Sequence, residues 1–475
     1  MSSDTGPISV TRFDDSLEYH VDHVVLRVDA DIDLLALHRA CPDRYPHLLE
    51  SVACGNPQAR FDILFAFPGS TLALDKSGTV TIDEQKSGHQ TFLAGFDAWW
   101  QRERCKPDST HDLPFRGGWF VYLGYELVAE IEPRLRLKQG SGPLPAAFAT
   151  RFYAAVIRDR AQRSVSIVAE PGHEGKVRQI GEDLRISAGG RTAAVVPPVF
   201  DVTEDDPGTF LRQVGRIKQY IRDGDVFQVN LSRAWRMVSR TDFCATDVYS
   251  RLRTTNPAPF SGIATWRDCA ILSSSPERLV RVAGGTIQTR PIAGTRPRGA
   301  TAEDDSRLSA SLLAHPKERA EHVMLIDLER NDLGRVCKPG TVRVDELMTL
   351  ESYAHVHHIV SNITGQLDEN VTPGQVIRAV FPGGTITGCP KVRCMEIIAE
   401  LEQTARGPYT GSFGYINRDG SLDTNILIRT IVKEGRRLTL RAGAGIVADS
   451  IPRKELDETR AKARGLLLAI EEETH

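Results

Sequence analysis

The sequence predicts an α+β fold in which antiparallel β-sheets pack as a sandwich with helices on the outside. Short stretches with strand character recur along the chain and are separated by turn residues. Three pairs of such stretches are joined by tight turns typical of β-hairpins, at Gly284-Gly285, Asp419-Gly420 and Glu434-Gly435. Strands joined by tight hairpins run antiparallel, so a parallel sheet of the Rossmann type is not expected.

The strand-rich first part of the chain ends at a break in composition, residues 185–208, which is rich in small residues, proline and acids. We interpret this break as a connector, 186–206, between an N-terminal subdomain, 1–185, and a second domain, 207–471. The sheet of the subdomain is expected to be shared with the rest of the chain. The strands predicted before the break are HVVLRVDA, RFDILFAFP, TLALDKSGTVTID, ATRFYAAVIRD and RSVSIVAE.

Helices are predicted at intervals after the connector. The segment TFLRQVGRIKQYIRDG reads as a helix that ends at Gly224. Inside a second predicted helix, Pro316 suits a first helical position and Gly334 suits an exit. The remaining predictions are helices at about 307–334, 373–380, 390–402 and 453–471.

The composition is that of an ordinary globular protein of 475 residues, with 41% apolar and 25% charged residues. A net charge of −3 gives no electrostatic reason to expect nucleic acid or an anionic membrane as a partner. Eight cysteines without a Cys-x-x-Cys pair indicate neither a disulfide framework nor a zinc site. With no leader segment and no apolar stretch of about 18 residues, we expect a cytoplasmic protein.

Two predicted helices carry paired carboxylates. Glu318 and Glu321 lie three residues apart and so share one face of a helix, as do Glu455 and Glu458. Each pair by itself is typical of a solvated surface, and Lys462 follows Glu458 by one turn as in a Glu-to-Lys ladder. Two such helices facing each other would instead supply the hard oxygen ligands that suit Mg²⁺.

A glycine-rich loop precedes another helix in FPGGTITGCPKVRCMEIIAELE. A helix beginning near Pro390 would present free backbone N–H groups to an anion. A plain tight turn explains the glycines equally well. It is not a phosphate-binding loop of the Walker type, because Cys389 stands where lysine is required.

Three further candidates lie on predicted strands or in a predicted turn, Pro-Ile-Ala-Gly-Thr. His358 shares a face with apolar residues in HVHHIVSNITG, so it is either a core residue or a catalytic one. Glu277 follows Ser-Pro at the start of a strand and is either an aimed acid or an edge carboxylate. In Pro-Ile-Ala-Gly-Thr, backbone N–H groups and the Thr295 hydroxyl could approach a ligand.

Taken in order, these segments closely resemble the chorismate-utilising enzymes, which include anthranilate synthase component I, aminodeoxychorismate synthase component I and the isochorismate and salicylate synthases. The resemblance covers roughly residues 207–470 and rests on DGDVFQVNLS, SPERL, TRPIAGTRPRG, KERAEHVMLIDLERNDLGRV, HHIVSNITG, FPGGTITGCPKVRCMEII, YTGSFGY, ILIRT, AGAGIVADS and ELDETRAKA. It implies an α+β sandwich of antiparallel sheets. The N-terminal HLLES, RFDILFAFP and FRGGWFVYLGYE match more loosely and point to the two amine-transferring branches.

The resemblance implies a Mg²⁺ site formed by Glu321 and Glu458, with Glu318 and Glu455 beside them as ligands or holders of water. The metal would grip a carboxylate of chorismate and act as a Lewis acid. Glu277 resembles the general acid that protonates the departing ring hydroxyl. His358 would lie against the ring. Residues that resemble substrate-binding positions are Tyr409, Arg429 and Lys462 as carboxylate anchors, and Gly294, Thr295, Gly443 and Gly445 as close contacts.

The amine donor and the branch follow from five further positions. Gln228 stands where the water-using relatives carry a base lysine, so the resemblance implies ammonia, supplied by a separate glutamine amidotransferase subunit. In the best-known aminodeoxychorismate synthases a lysine at the position of Ala293 attacks C2, and alanine cannot do so, which favours anthranilate synthase. Asn230 and the pair Ile386-Thr387 resemble the aminodeoxychorismate branch, which also has members with alanine. We favour aminodeoxychorismate synthase component I, with anthranilate synthase component I as the alternative.

A last resemblance concerns the segment HLLES, residues 47–51. In feedback-inhibited relatives it lines a tryptophan pocket, which would here involve Leu49, Glu50 and Ser51. A plain core strand is the other interpretation.

Overall fold

The computed structural model describes residues 12–13, 17–29, 32–53, 60–106, 112–187, 198–299, 301–352 and 356–471. The strands are β1 (Arg12–Phe13), β2 (Glu18–Tyr19), β3 (Val24–Asp29), β4 (His47–Glu50), β5 (Phe61–Leu74), β6 (Val80–Ile82), β7 (Gln85–Lys86), β8 (Gly118–Leu123), β9 (Ala147–Asp159), β10 (Ser164–Ala169), β11 (Phe200–Glu204), β12 (Gln228–Ser239), β13 (Phe260–Trp266), β14 (Cys269–Ser275), β15 (Arg278–Ala283), β16 (Thr286–Thr289), β17 (Ile292–Pro297), β18 (Arg343–Ser352), β19 (Val356–Gln366), β20 (Gly388–Cys389), β21 (Ser412–Asn417), β22 (Leu422–Asn425), β23 (Thr430–Glu434) and β24 (Arg437–Ile446). The helices are α1 (Leu34–Ala40), α2 (Phe92–Glu103), α3 (Val128–Ile131), α4 (Glu174–Ser187), α5 (Pro207–Arg222), α6 (Ala245–Thr255), α7 (Ala302–Ala314), α8 (Pro316–Gly334), α9 (Pro373–Val380), α10 (Lys391–Leu401) and α11 (Pro452–Leu468), with a 3₁₀ turn at Tyr125–Leu127.

Two antiparallel sheets share the long strands β5 and β9. The first sheet runs in the order β3–β10–β9–β5–β4–β13–β14–β23–β24–β12–β11. The second runs β5–β9–β8–β21–β22–β15–β16–β19, and β17 and β18 also pair with β19. Strands from before and after the composition break therefore pair directly, β4 with β13 and β8 with β21.

Strand β5 differs from the prediction. Two strands were expected with a turn at the Pro-Gly step, but the chain continues as one bent strand. Phe67 has a φ of 59° and the register with β9 shifts between Pro68 and Thr71, which marks a bulge. A bulge bends and twists a strand, so β5 can pass from one sheet to the other.

Aromatic side chains fill the space between the sheets. Phe65 of β5 lies against Phe120 of β8 with ring centroids 5.4 Å apart, and Phe120 lies 6.0 Å from Phe148 of β9. The same cluster includes Ile271 of the first sheet and Phe413 of the second. This shared layer makes the two sheets a sandwich.

Helices cover the outer faces. α2, α8, α9 and α10 contribute apolar residues to the core cluster over the second sheet, and α1, α4, α6 and α11 to the one over the first. The predicted α+β sandwich with external helices is thereby confirmed. No helix in the described part of the chain is both long enough and apolar enough to span a bilayer.

Helix boundaries follow local sequence signals. α8 begins at Pro316 and ends at Gly334, as predicted. The single helix expected over 307–334 is instead α7 followed by α8, because His315 between them has a ψ of 112°. A residue before proline is disfavoured in the helical region, which explains the break. The three predicted hairpin turns are present, with positive φ at Gly284, Gly285, Gly420 and Gly435.

The predicted connector is partly described. Phe200–Glu204 forms β11, which pairs with β12. Residues 188–197 lie outside the described part of the chain.

Candidate active site

Neighbouring atoms approach the backbone of Gly443 closely where β12 and β24 pair. A Cβ added to Gly443 would lie 2.6 Å from the side-chain oxygens of Asn230 and Tyr409, and 2.8 Å from the carbonyl oxygen of Leu231. These distances are far below van der Waals contact, so only glycine fits. The structure thus brings the predicted residues Tyr409 and Gly443 into contact.

A second glycine on the same face has a similar role. Gly445 is paired with Asn230, and a Cβ there would lie 2.4 Å from the amide nitrogen of Gln228. Gln228 and Asn230 alternate along β12 and therefore point to the same side. Within the described residues, the amide oxygens of both are buried without a hydrogen-bond donor. These two acceptors suit a ligand that brings N–H groups.

Glu277 lies in the short connection between β14 and β15. Its backbone carbonyl accepts a hydrogen bond from the N–H of Ile426 at 2.9 Å, and its N–H donates to Ser275 Oγ at 3.2 Å. The side chain is buried. The position is therefore fixed by the backbone on both sides, which is what an aimed acid requires.

Burial raises the pKa of the Glu277 carboxyl to about 7. The backbone of Ile292, the Thr385 side chain and the charges of Arg429 and Lys462 favour the ionised form, but burial outweighs them. Glu277 is thus held partly protonated near neutral pH. This protonation state matches a general acid.

Arg429, a predicted carboxylate anchor, is partly buried. Its φ is 51°, and its carbonyl accepts a hydrogen bond from Ser274 N–H at 3.1 Å. Burial lowers the pKa of its guanidinium and Glu277 partly offsets this. Among the described residues the guanidinium forms no ion pair, so its fork of N–H groups is available to a carboxylate.

His358 faces the turn that contains Gly294. Its Nδ1 lies 3.5 Å from the Gly294 carbonyl oxygen, and burial lowers its pKa to about 4. The imidazole is therefore neutral at physiological pH. Gly294 has a φ of 68°, and a Cβ there would lie 2.9 Å from Glu318 Oε2. His358, Gly294 and Glu318 are thus neighbours, as expected for one site.

The segment Pro-Ile-Ala-Gly-Thr, expected to be a turn, instead lies mostly in strand β17. The backbone of Ala293 and Thr295 belongs to β17, whose register with β19 shifts between them. Their side chains lie outside the described part of the structure. Their roles remain predictions.

The four predicted metal ligands lie on α8 and α11. Glu318, Glu321 and Glu455 are partly buried and Glu458 is exposed. Within the described ranges, no three His, Cys, Asp or Glu side chains form a group able to hold a metal ion. Mg²⁺ commonly takes only one or two protein carboxylates and completes its shell with water and substrate oxygens. The donor chemistry therefore fits Mg²⁺, although the described residues form no full protein cage.

The face of the β12–β24 pair that carries Gln228, Asn230, Gly443 and Gly445 is called the glycine wall below. Lys462 connects α11 to this wall. Its Nζ donates to the Gly443 carbonyl oxygen at 3.0 Å and lies 2.7 Å from Glu458 Oε1. The Glu-to-Lys ladder considered above is therefore present, and the same lysine also reaches the site. The role of Lys462 as a carboxylate anchor stays a prediction.

The glycine-rich loop before α10 packs tightly. A Cβ on Gly384 would lie 2.5 Å from Leu328 Cδ2 of α8, and one on Gly388 would lie 2.1 Å from the Gln228 carbonyl oxygen. Close packing explains these glycines. The loop brings α8 against the start of β12.

The sequence interpretation missed Glu329 of α8. It is buried, and burial together with Asp332 and Glu277 raises its pKa to about 8. Its Oε1 lies 3.5 Å from a Cβ placed on Gly384. Helical spacing could have found it, since positions 322, 325, 326, 329 and 333 form the buried face of α8.

Leu49, Glu50 and Ser51 line a separate cavity of about 550 Å³, whose other lining residues include Arg278 and Asp423. Glu50 accepts a hydrogen bond from the Tyr249 hydroxyl at 2.7 Å, and burial raises its pKa to about 7. Tryptophan binding by these residues stays a prediction.

Comparison with known proteins identifies the family. The model of the chorismate binding enzyme family matches residues 53–468. The chain is 37% identical to anthranilate synthase component 1 of Acetivibrio thermocellus over 96% of each chain. It is 38% identical to aminodeoxychorismate synthase component 1 of Bacillus subtilis (strain 168), covering 93% of this chain and 95% of that one. The crystal structure of anthranilate synthase component I from Streptococcus pneumoniae TIGR4 superposes with a TM-score of 0.78 at 30% identity, over 87% of this chain and 93% of that chain.

Proposed function

This chain belongs to the chorismate binding enzymes, and from that premise we propose that it is component I of an aminodeoxychorismate synthase. It would aminate chorismate at C4 and give 4-amino-4-deoxychorismate, the precursor of 4-aminobenzoate and folate. The observation that supports chorismate chemistry is the proximity of Glu277, a buried acid with a pKa of about 7, to the charge of Arg429, a partly buried cation whose guanidinium forms no ion pair within the described residues.

We assign each residue of the site a separate role toward chorismate, a ring compound with two carboxylates. In this proposal Arg429 binds one carboxylate through its guanidinium, and Tyr409 and Lys462, which both approach Gly443, bind the second. Glu277 donates its proton to the C4 hydroxyl oxygen, so that the C–O bond breaks and water leaves. Neutral His358 packs against the ring.

Mg²⁺ is the proposed metal, held by Glu321 and Glu458 with Glu318 and Glu455 beside them. When bound, it would neutralise a substrate carboxylate and act as a Lewis acid as the hydroxyl departs. All four ligands are carboxylates, the donor type that Mg²⁺ prefers.

Ammonia is the proposed nucleophile, supplied by a glutamine amidotransferase subunit. Gln228 has no basic group with which to activate water, and its amide oxygen and that of Asn230 can accept N–H donors. The relatives named above are each called component 1, which is consistent with a second subunit.

Anthranilate synthase component I is the second candidate. Ala293 favours it, because alanine provides no covalent nucleophile at C2. Asn230, Ile386 and Thr387 favour the aminodeoxychorismate branch by resemblance. If aminodeoxychorismate is the product, ammonia itself would add at C2 as the C4–O bond breaks and water leaves. A second ammonia would then add at C4 as the C2–N bond breaks and the first amine is released.

The deciding experiment is product identification. Purified chain is incubated with chorismate, Mg²⁺ and an ammonium salt, and products are followed by mass and fluorescence. A product that a lyase converts to 4-aminobenzoate supports the proposal. Fluorescent anthranilate with an equivalent of pyruvate supports the second candidate, and no consumption of chorismate by folded protein contradicts both.

Gly443→Ala is expected to weaken chorismate binding and lower stability by about 1–3 kcal/mol through overpacking. The new methyl would collide with the oxygens of Asn230 and Tyr409 and with the fixed carbonyl of Leu231. Thermal unfolding and the KM for chorismate measure the two effects.

The matched control is Gly215→Ala on the exposed face of α5, where a Cβ meets nothing within 4 Å. It should leave KM unchanged and favour the helix slightly. An unchanged KM in Gly443→Ala would contradict the proposed role of this wall.

A further inference from the structure

A buried ionic network lies next to Tyr409. It consists of Glu402, Arg406 and Arg441, which are 4%, 4% and 6% exposed. Arg406 donates from Nη2 to Glu402 Oε1 at 2.7 Å and from Nε to Oε2 at 3.0 Å. Arg441 donates from Nη2 to Glu402 Oε2 at 2.9 Å. One carboxylate thus gathers two guanidiniums in the interior.

The Arg406 guanidinium also holds two backbone segments that reach the site. Nη2 donates to the carbonyl oxygen of Asn230 at 2.8 Å, and Nη1 donates to that of Ile386 at 3.2 Å. Asn230 belongs to the glycine wall and Ile386 to the glycine-rich loop. A single planar group therefore fixes the relative position of β12 and this loop.

The same guanidinium supports Tyr409. Its central carbon lies 5.5 Å from the Tyr409 ring centroid, and that of Arg441 lies 6.0 Å from the same ring. Arg406 Nη1 is 3.3 Å from the hydroxyl of Thr410, the next residue along the chain. Two guanidiniums thus lie within cation–π distance of the tyrosine ring.

Glu402 anchors the network to β12 at a second point. It accepts hydrogen bonds from the Ser232 backbone N–H at 2.9 Å and from Ser232 Oγ at 2.8 Å. Ser232 is the residue paired with Gly443 across the sheet. Burial opposes ionisation of Glu402, but Arg406, Arg441 and Ser232 outweigh it and keep its pKa below the usual value.

We propose that Arg406, held by Glu402, is a positioning residue for the reaction proposed above. It sets the Asn230 and Ile386 carbonyls and the Tyr409 ring so that the wall around Gly443 is formed before chorismate binds. Arg406 touches no reacting atom; it acts through Asn230 and Tyr409. The inference depends on the proposed function for its substrate.

A buried ion pair of purely structural value is the competing explanation, and the chain offers a matched control for it. Arg151 is 1% exposed. It donates to Glu170 at 2.8 Å and to the carbonyl oxygens of Gly118 and Phe152 at 3.1 and 2.7 Å. It therefore has the same kinds of partner as Arg406, but none of those partners belongs to the site.

The experiment compares Arg406→Lys, Glu402→Gln and Arg151→Lys in the full chain, with Tm and steady-state kinetics for chorismate at saturating ammonium. Lysine keeps the charge but loses the fork that reaches two carbonyls. Arg406→Lys and Glu402→Gln should lower kcat/KM by about 10²-fold, mainly through a higher KM, because small misplacements of site groups are costly. Arg151→Lys should lose comparable Tm with unchanged kcat/KM.

Folded Arg406→Lys protein with parental kcat/KM, or an equal kinetic loss in Arg151→Lys, would overturn the inference. Calorimetric titration with chorismate separates this outcome from failure of the proposed function. A parent chain that binds chorismate without turnover refutes the function, while the affinities of the three variants still test the positioning role.

Discussion

Replacing Glu277 by glutamine is expected to lower the rate of chorismate consumption by about 10²–10⁴-fold, the usual contribution of a general acid. Glutamine keeps the size of the side chain and its polarity but has no proton to give to the C4 hydroxyl. The Glu277 backbone is fixed by Ser275 and Ile426, so the substitution should not move the loop. Single-turnover kinetics with ammonium and Mg²⁺ measure the chemical step.

Glu50→Gln is the matched control for this substitution. Glu50 is also a buried glutamate whose pKa burial raises to about 7, but it lines the other cavity. Its amide variant should retain the parental rate without tryptophan. Equal losses in the two variants would show that removing any buried acid disturbs the fold, and would contradict a specific role for Glu277.

The pH dependence follows from the same group. Glu277 must be protonated to act, so kcat/KM should fall as pH rises through about 7. The stability of the fold should also fall as pH rises. The folded pKa lies above the unfolded value, so the unfolded state binds fewer protons, and stability falls from about pH 4.5 upward until Glu277 is fully ionised. Glu277→Gln should therefore gain stability relative to the parent at pH 8.

Glu329→Gln shows whether Glu277 or Glu329, two buried acids with pKa values of about 7 and about 8, causes this pH dependence. Burial raises the pKa of Glu329 to about 8, and it interacts electrostatically with Glu277. Its variant should keep the fall in kcat/KM with rising pH, slightly shifted. Loss of that fall in Glu329→Gln alone would assign the acid to Glu329.

Local signals in the sequence were enough for much of the fold. Helix α8 begins at Pro316 and ends at Gly334 because the backbone preferences of proline and glycine act within one or two residues. The hairpin glycines are equally local. The bend in β5 was not predictable, because the bulge near Phe67 arises where one strand must serve two sheets.

In the candidate site, too, some features were predictable from the sequence and others depend on the tertiary structure. Resemblance identified Glu277, Arg429 and Tyr409 by type, but the raised pKa of Glu277 depends on burial that no spacing reveals. The network of Glu402, Arg406 and Arg441 joins residues up to 39 positions apart in the chain. Only the i, i+4 pair Glu402 and Arg406 was visible in the sequence, and such pairs are usually exposed.

Removal of divalent metal is expected to stop chorismate consumption, and added Mg²⁺ to restore it. Glu321→Gln and Glu458→Gln should each lower the rate towards that of the chelated parent, because the amide cannot offer the charge that Mg²⁺ requires. Binding of Mg²⁺ in the presence of chorismate, followed by calorimetry, gives a readout that does not depend on turnover. Both variants should bind the ion more weakly than the parent.

Each substitution has a control on its own helix. Asp327 of α8 is exposed and pairs with Arg330 at 2.9 Å, and Asp457 of α11 is exposed and lies 3.6 Å from Arg460. Asp327→Asn and Asp457→Asn remove one carboxylate from the same two helices without touching the proposed ligands. They should keep parental Mg²⁺ affinity and rate. If the two glutamate variants bind Mg²⁺ as tightly as these controls do, the carboxylates of α8 and α11 do not share a metal, and the proposed Mg²⁺ site is contradicted.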